Sequence, residues 1–327
     1  MNTTLRSIII RVFQRFLNHP NISGALVISL GCERNNLAAF FQEQELVTGN
    51  SIRTITMQEV GGTTAAIHRG IAEVEELLCL ANQNVRVSCS AEHLVVGLQC
   101  GGSDGLSSLT ANPALGAAMD ILISHGGTAV LSETPEVYGA EHLLTARAKN
   151  IGVGMKLIER IKWWLNYSGG KDTQINGKVS PGNNSGGITT ILEKSLSGVQ
   201  KAGRFGLNEV YKYAEKIEER GFVFMDTPGY DPVSVTGQIA GGANLICFTT
   251  GRGSCFGSYP SPTLKLASNT TMYLKMTGDM DINCGEIADG YKTLQELGLE
   301  IFNLILKTAS GEETKSELLG VGDEEFC

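Results

Sequence analysis

The sequence predicts an α/β fold with largely parallel sheets, because apolar strand patterns alternate with helix patterns along most of its 327 residues. Two of the strand patterns, within 25–33 and 94–105, end in a cysteine next to glycine. In such folds, ligands bind beyond the carboxyl ends of the strands. A long connection at 168–187 separates two stretches with the same alternation. We therefore predict two Rossmann-like lobes, at 1–167 and 188–327, with a site at the strand carboxyl ends.

The first lobe is predicted to begin with an amphipathic helix over 5–17. Ile8, Val12 and Phe16 recur there at helical spacing, and the interrupting arginines distinguish the segment from a signal peptide. Strand patterns follow at 25–30, 52–57 and 94–99, and a further strand ends at 130–131. The predicted helices between and after them lie at 34–44, 63–81, 112–124, 138–147 and 153–167.

The second lobe follows a connection rich in glycine and asparagine, which we expect to be a functional loop because of its length. The turn Asp226–Gly229 faintly resembles a nucleotide-binding turn, but the sequence contains no GxxxxGKS/T loop to hold phosphates. The elements predicted in this lobe are a helix at 208–220, a strand at 221–225, a helix ending at 240, a strand at 244–248 and a helix at 291–308.

Composition excludes several functional classes. With 26 basic and 34 acidic residues, the net charge of −8 argues against nucleic-acid binding, which requires a basic surface. The sequence shows no uninterrupted apolar stretch of the ~18 residues needed to span a bilayer. The eight cysteines show no CxxC spacing, so we expect reduced thiols in a cytoplasmic protein. A symmetric homodimer is expected, because two-fold dimers are the commonest oligomers.

Nine short motifs follow one another along the chain. They are His-Pro-Asn (19–21), Gly-Cys-Glu (31–33), Cys-Gly-Gly-Ser-Asp-Gly (100–105), Thr-Ala-Asn-Pro-Ala (110–114), Ser-Glu-Thr-Pro-Glu (132–136), Tyr-Gly-Ala-Glu (138–141), Ser-Pro-Gly-Asn (180–183), Thr-Gly-Arg-Gly (250–253) and Met-Asp-Ile-Asn (280–283). Together they resemble the large domain of the altronate dehydratase and galactarate dehydratase family, which also includes the large subunit of sulfolactate sulfo-lyase.

This resemblance implies a metal-dependent lyase that removes water from a sugar acid such as altronate or galactarate, giving a 2-keto-3-deoxy acid. Members of the family usually carry a small β-rich domain or subunit, and a His-x-x-Gly-Cys segment, ahead of this region. We expect neither in this chain, whose sequence begins at Met1. Two alternatives therefore stay open: a non-catalytic large subunit or domain that needs a partner chain, and a subunit of a sulfolactate sulfo-lyase.

The dehydration that the resemblance implies needs a cation to spread the charge of the developing enediolate. Cys32 and Cys100 are the predicted metal ligands, because both follow apolar strands within matched motifs and thiolates suit iron. We expect Fe²⁺, with Mn²⁺ or a [4Fe–4S] cluster as alternatives. The competing interpretation is that each thiol is a small buried core residue.

Three carboxylates are predicted to carry the acid–base chemistry. Glu133 and Glu136 stand on either side of Pro135 at a strand end, where the alternative role is to cap the following helix. Asp104 follows the two glycines after Cys100. It is predicted to bind the metal, to orient a donor or simply to close the glycine turn.

The predicted substrate-binding residues lie in three loops. Arg252, between two glycines, suits bidentate binding of a substrate carboxylate. Asn183 in the long connection could bind sugar hydroxyls or merely form a turn. The remaining candidates are grouped around the glycine loop: Gly101, Gly102, Ser103 and Asn112.

Overall fold

The chain divides into two compact units at residues 88 and 89 in the computed structural model. The residues that this structure describes are 3–33, 37–44, 46–169 and 179–322. Residues 170–178, at the centre of the predicted connecting loop, lie outside them. The observed division therefore differs from the predicted one, which placed the boundary within 168–187.

In its described residues, the first unit has four helices and a small parallel sheet. The helices are α1 (Thr3–Leu17), α2 (Leu37–Glu43), α3 (Met57–Val60) and α4 (Thr63–Ala81). Strands β1 (Ala25–Ser29) and β2 (Ile52–Thr56) pair in parallel, and α4 packs against both. These strands confirm the patterns at 25–30 and 52–57. The start of the predicted helix at 34–44 falls outside the described residues.

The second unit is built on a seven-stranded parallel sheet, which confirms the predicted α/β class. Its strands are β3 (Val95–Cys100), β4 (Thr128–Leu131), β5 (Leu207–Tyr211), β6 (Gly221–Met225), β7 (Leu245–Thr250), β8 (Thr263–Ala267) and β9 (Ile282–Asn283). Their order across the sheet is β5-β6-β4-β3-β7-β8-β9. The helices are α5 (Ala111–Ser124), α6 (His142–Thr145), α7 (Ile151–Tyr167), α8 (Pro181–Ser185), α9 (Ile191–Gly198), α10 (Asp231–Gly241), α11 (Thr270–Lys275), α12 (Leu294–Ala309) and α13 (Lys315–Leu318).

The strand order explains why two lobes do not form. Strand β4 pairs with β6, and β3 pairs with β7, so strands from both sides of the 168–187 connection share one set of hydrogen bonds. The sequence pattern is local and shows only that strands and helices alternate. It carries no information about which strands become neighbours.

The helix predicted at 208–220 is a strand followed by an irregular segment. Leu207–Tyr211 forms β5 and pairs in parallel with β6. The lysine and glutamate residues of this segment favour a helix when considered alone. Pairing with a neighbouring strand overrides such a weak preference, because tertiary context dominates intrinsic propensity.

Helices cover the apolar face of the sheet. Val96 and Leu98 of β3 pack in one core with residues of α5 and α12, while Gly97 and Gln99 face α10. By length and composition, the segment Gly105–Ser124 could cross a membrane, but 56% of it is buried within the protein. Its apolar character is therefore that of a core helix.

Gly116 in α5 allows a close approach of two backbone segments. A Cβ atom at this position would collide with the carbonyl oxygen of Gln200 and lie 3.1 Å from the amide nitrogen of Gly203. We expect Gly116→Ala to lower the free energy of unfolding by about 1–3 kcal/mol, because backbone atoms must shift. Urea unfolding measures this change. Gly278→Ala, with open space around its Cβ, is the control, and equal losses for the two variants would contradict the prediction.

The loops after β3 and β7 meet at the point where the chain direction across the sheet reverses. From β3 the chain continues to β4 on one side, whereas from β7 it continues to β8 on the other. The carbonyl oxygen of Gly102 accepts hydrogen bonds from the amides of Gly251 and Arg252, at 3.1 and 2.9 Å. Such reversal points form the ligand-binding crevice of open α/β sheets.

Candidate active site

A thiol and two carboxylates converge at the carboxyl ends of β3 and β4. Cys100 ends β3 and is buried, and its Sγ lies 3.6 Å from Glu133 Oε2 and 3.7 Å from Glu136 Oε2. The Cys100 amide also donates to Glu133 Oε2 at 3.2 Å. Within the described residues, this is the one group of three potential metal ligands from cysteine, histidine, aspartate and glutamate.

Two buried lysines pair with these carboxylates. Lys201 lies on the 3₁₀ turn Val199–Ala202, and its Nζ is 3.2 Å from Glu133 Oε2, with both side chains almost fully buried. Lys194 on α9 forms an ion pair with Glu136 Oε1. The site therefore stabilises negative charge with two preorganised ammonium groups in a water-poor environment, where electrostatic interactions are strong.

A third carboxylate joins the cluster from α10. The side chain of Gln99 donates to Asp231 Oδ1 at 2.8 Å. A Cβ atom on Gly101 would collide with the Asp231 carboxylate, so glycine at this loop position makes the approach possible. Burial raises the pKa of Asp231 to about 6, although the hydrogen bond from Gln99 opposes the rise.

Burial controls the protonation of the central groups. It raises the pKa of Glu133 to about 8, the charge of Glu136 adds to the rise, and Lys201 opposes it. Burial likewise raises the pKa of the Cys100 thiol to about 12. For Lys194 and Lys201, burial alone lowers the pKa, but the surrounding negative groups outweigh it and the pKa of each rises. Near neutral pH, protonated Glu133 and a neutral thiol therefore face two ammonium groups.

The raised pKa of Glu133 makes stability depend on pH. Between its ordinary value of 4.5 and about 8, the folded protein holds a proton that the unfolded chain has lost. The free energy of unfolding should therefore fall as pH rises through this window. In metal-free protein, urea unfolding at pH 5 and pH 8 should show a smaller fall for Glu133→Gln than for the wild type. Glu313→Gln, at an exposed position, is the control, and equal slopes for all three proteins would contradict the assignment.

The donor atoms of this cluster fit a divalent metal ion. Cys100 Sγ and the carboxylate oxygens of Glu133 and Glu136 lie within 4.8 Å of one another, close enough to surround one ion. Glu133 Oε1 is buried and makes no hydrogen bond to any described residue, so an electron pair is available there. If Cys100 and Glu133 lose their protons, they form four negative groups together with Glu136 and Asp231. Two ammonium groups and one divalent cation would balance this charge.

Asp104, a candidate for the acid–base chemistry, and Asn112, a candidate for substrate binding, are both held by hydrogen bonds within the fold. Asp104 Oδ1 accepts from the Ser107 amide at 2.9 Å and from Ser268 Oγ at 2.6 Å, so it closes the glycine turn. The Asn112 amide group donates to Ser197 Oγ at 2.8 Å and accepts from Thr249 at 2.7 Å. Of the three roles considered for Asp104, its contacts favour turn closure, and those of Asn112 favour a role in packing.

The glycine loop and Arg252 meet as predicted for a shared cleft. Gly102 has a φ of 60°, a conformation that suits glycine, and a Cβ atom there would lie 3.2 Å from Arg252 Cβ. Because Gly102 is only two residues from Cys100, Arg252 lies at the same end of β3 as that thiol. The Arg252 side chain is exposed and forms no ion pair or hydrogen bond with a described residue. Ser103, the next residue of the loop after Gly102, is buried.

Asn183 lies on the short helix α8, which adjoins the glycine loop. The Gly105 amide donates to the carbonyl oxygen of Gly186 at 2.9 Å and ties the two segments together. Asn183 is buried, and its Oδ1 makes no hydrogen bond to a described residue. An unsatisfied buried amide oxygen is uncommon in proteins, and it is available to a ligand hydroxyl.

Cys32 belongs to the first unit and Cys100 to the second, so their joint binding of a metal stays a prediction. Cys32 is exposed, and Gln58 Nε2 donates to its Sγ at 3.3 Å. The neighbouring Glu33 accepts a hydrogen bond from the Gly31 amide at 2.6 Å. Cys32 thus lies in a polar, accessible turn and is not a core thiol.

Lys194, Lys201 and Asp231 were missed by sequence reasoning. A signal exists for Lys194, because it lies with Ile191, Ser195 and Gly198 on one buried face of α9. A lysine on the apolar face of an amphipathic helix needs a buried partner. The partner carboxylates come from distant positions in the chain, so their identity could not be predicted.

Two family models match the chain. The one described as D-galactarate/Altronate dehydratase, C-terminal, matches residues 91–327. The one described as D-galactarate dehydratase/Altronate hydrolase, second domain, matches residues 3–82. These ranges agree closely with the two structural units.

Several curated proteins are similar over nearly the whole chain. Galactarate dehydratase (L-threo-forming) of Escherichia coli is 37% identical over 316 residues, which cover 93% of this chain and 59% of the relative. Altronate dehydratase of Bacillus subtilis is 36% identical over 301 residues, covering 92% and 60%. (2R)-sulfolactate sulfo-lyase subunit beta of Chromohalobacter salexigens is 29% identical over 306 residues, covering 92% and 77%. The chain thus spans about three fifths of the length of the two dehydratases.

Proposed function

Because this chain belongs to the galactarate dehydratase and altronate dehydratase family, we propose that it carries the active site of a sugar-acid dehydratase. The substrate is a hexonate or hexarate such as altronate or galactarate, and the product is a 2-keto-3-deoxy acid. The observation that carries this proposal is the cluster of Cys100, Glu133 and Glu136 with two buried lysines at the strand carboxyl ends. Such a cluster suits removal of a proton beside a carboxylate and stabilisation of the resulting charge.

Glu136 is the proposed base. Its side chain is 16% exposed, whereas that of Glu133 is 1% exposed, so Glu136 is the carboxylate that a substrate reaches. It removes the proton from the carbon next to the substrate carboxylate. The negative charge of Glu136 stabilises the ammonium form of Lys194. This stabilisation is lost once Glu136 takes up the proton. The ammonium then donates its proton to the departing hydroxyl, which leaves as water.

Protonated Glu136 returns its proton to Lys194 through their ion pair, and the enol becomes the keto acid by exchanging protons with solvent. The net reaction is the loss of one water. Arg252 binds the substrate carboxylate, and Asn183 Oδ1 accepts a hydrogen bond from a substrate hydroxyl.

Cys100 and Glu133 would hold Fe²⁺, or alternatively Mn²⁺, beside Glu136, and the ion would supply a Lewis acid that spreads the charge of the developing enediolate. The donor set supports a single ion, because Cys100 is the one cysteine of this group among the described residues. A [4Fe–4S] cluster, the further alternative, is bound through several cysteine thiolates.

The proposed setting is a cytoplasmic homodimer that works with a small β-rich domain or subunit. A relative named as a subunit, sulfo-lyase subunit beta, supports an arrangement with more than one chain. Light scattering that shows a monomer at micromolar concentration would exclude the dimer.

The proposed reaction is tested by anaerobic assays with Fe²⁺ on altronate, galactarate and sulfolactate, with detection of 2-keto-3-deoxy acid and of released sulfite. Dehydration of a sugar acid by the purified chain supports the proposal and refutes the need for a partner chain. Activity that requires an added small domain supports the subunit alternative. Sulfite release with no dehydration would assign the chain to the sulfo-lyase branch, and no product in any assay would contradict the proposed function.

A further inference from the structure

The backbone of Glu133 is held in an unusual conformation. With φ of 65° and ψ of 60°, it is one of two non-glycine residues with positive φ in the part of the chain that the structure describes. A left-handed backbone costs a residue with a side chain about 1–2 kcal/mol. Such strain persists only where the surroundings enforce it, and it is concentrated at functional sites.

One turn contacts the peptide groups on both sides of Glu133. Thr227 Oγ1 accepts a hydrogen bond from the Glu133 amide at 2.9 Å, and the Thr227 carbonyl oxygen accepts from the Thr134 amide at 3.0 Å. The Thr134 hydroxyl also donates to Asp226 Oδ1 at 2.6 Å. Because the two amides flank the Glu133 Cα, these bonds fix both of its backbone dihedral angles.

Thr227 is itself fixed by a buried chain of hydrogen bonds. Its hydroxyl lies 2.7 Å from Ser234 Oγ, which donates to Gln99 Oε1 at 3.0 Å. The Thr227 hydroxyl accepts from the Glu133 amide, and Ser234 Oγ and the Pro228 carbonyl oxygen, at 2.7 and 3.2 Å, are the two acceptors within reach of its proton. Gln99 in turn binds Asp231. The chain thus links the carboxyl end of β3, the start of α10 and the backbone of Glu133.

The same turn also touches Glu136. A Cβ atom on Gly229 would lie 3.1 Å from both Cγ and Oε1 of Glu136, so only glycine leaves that side chain undisturbed. The turn Asp226–Gly229 therefore contacts the backbone of one carboxylate residue and the side chain of the other.

We propose that the turn Asp226–Gly229 is a clamp that positions both carboxylates of the site, with Thr227 as its main positioning residue. By holding Glu133 in the left-handed conformation, the clamp keeps the carboxylate within hydrogen-bond distance of the Cys100 amide and Lys201. A relaxed backbone would turn the Cβ of Glu133 away from both. The expected effect on catalysis rests on the proposed dehydratase function, whereas the expected change in the conformation of Glu133 does not.

The test compares Thr227→Val, which removes the hydroxyl, with Thr227→Ser, which retains it. Thr236→Val is the matched control, because Thr236 is equally buried and donates only to the Pro232 carbonyl oxygen in its own helix, at 2.8 Å. In a crystal structure of Thr227→Val, we expect the φ of Glu133 to become negative and the distance from its carboxylate to the Cys100 amide to exceed 3.5 Å. A Glu133 with unchanged φ and an intact hydrogen bond to Cys100 would overturn the clamp.

Kinetics provide the second measurement. Thr227→Val should lower kcat about 100-fold with little change in KM, because a misplacement of about 1 Å at a catalytic group has that effect. Thr227→Ser and Thr236→Val should stay within about threefold of the wild type. Equal losses in the valine and serine variants would assign the effect to packing and reject the clamp.

Gly229→Ala gives an independent variant that leaves the Thr227 bonds in place. It should lower kcat by displacing Glu136, while the Glu133 backbone stays unchanged in the structure. An unaltered kcat would show that the turn does not position Glu136. If the wild type dehydrates no sugar acid, the proposed function fails. The structure of Thr227→Val still tests whether the turn positions Glu133.

Discussion

Cys100→Ser is expected to lower bound iron and dehydratase activity together. Serine has a hard hydroxyl that replaces a thiolate poorly as an iron ligand, and Cys100 Sγ is the one sulfur among the grouped donor atoms of the described residues. Loss of a residue that only orients a ligand typically costs ~10- to 100-fold in metal affinity or activity. We expect loss of the ligand itself to exceed that range. Iron content and turnover of anaerobically purified protein measure both effects.

The same substitution at two other cysteines separates the alternatives. Cys32→Ser should also lower iron content if the two thiols bind the metal jointly, as the sequence predicts. Cys255→Ser is the control, because Cys255 is exposed and outside the cluster. Full iron occupancy in the Cys32→Ser/Cys100→Ser double variant would rule out thiolate ligation.

Lys201→Met is expected to lower the free energy of unfolding by up to about 3–5 kcal/mol at pH 9, because above its pKa of about 8 the buried carboxylate of Glu133 is charged and then lacks a partner. The side chains of Lys201 and Glu133 are 2% and 1% exposed. The loss should be smaller at pH 5, where protonated Glu133 needs no cation. Activity should fall as well, because the ammonium stabilises the negative charge of the site. Urea unfolding at the two pH values measures the stability change.

Lys156→Met is the matched control for this substitution. Lys156 forms an ion pair with Glu209 at 2.7 Å, but its side chain is 53% exposed, so removal should cost less than about 1 kcal/mol. Adding Glu133→Gln to Lys201→Met should restore part of the lost stability, since no buried charge is then unpaired. Similar losses for Lys156→Met and Lys201→Met, with no effect of pH, would contradict the buried pair.

The site residues that could be predicted are those that lie within short local sequence motifs. Cys100 could be found because an apolar strand runs directly into the glycine loop, and Glu133 and Glu136 because they follow the next strand. The carboxyl ends of parallel strands meet at one edge, so these residues were expected together. Asp104 was found by the same reasoning, but its contacts with Ser107 and Ser268 give it a role in the turn. Position at a strand end does not distinguish these roles.

The sequence by itself determined the α/β class and most helices and strands, since both depend on periodicities of two to four residues. Only the tertiary structure decided that strands on both sides of 168–187 share one sheet, that Leu207–Tyr211 is a strand, and that Lys194 and Lys201 face Glu136 and Glu133. Strand order and buried ion pairs join residues that lie tens to more than a hundred positions apart. Their energies come from burial and pairing, which exist only after the chain has folded.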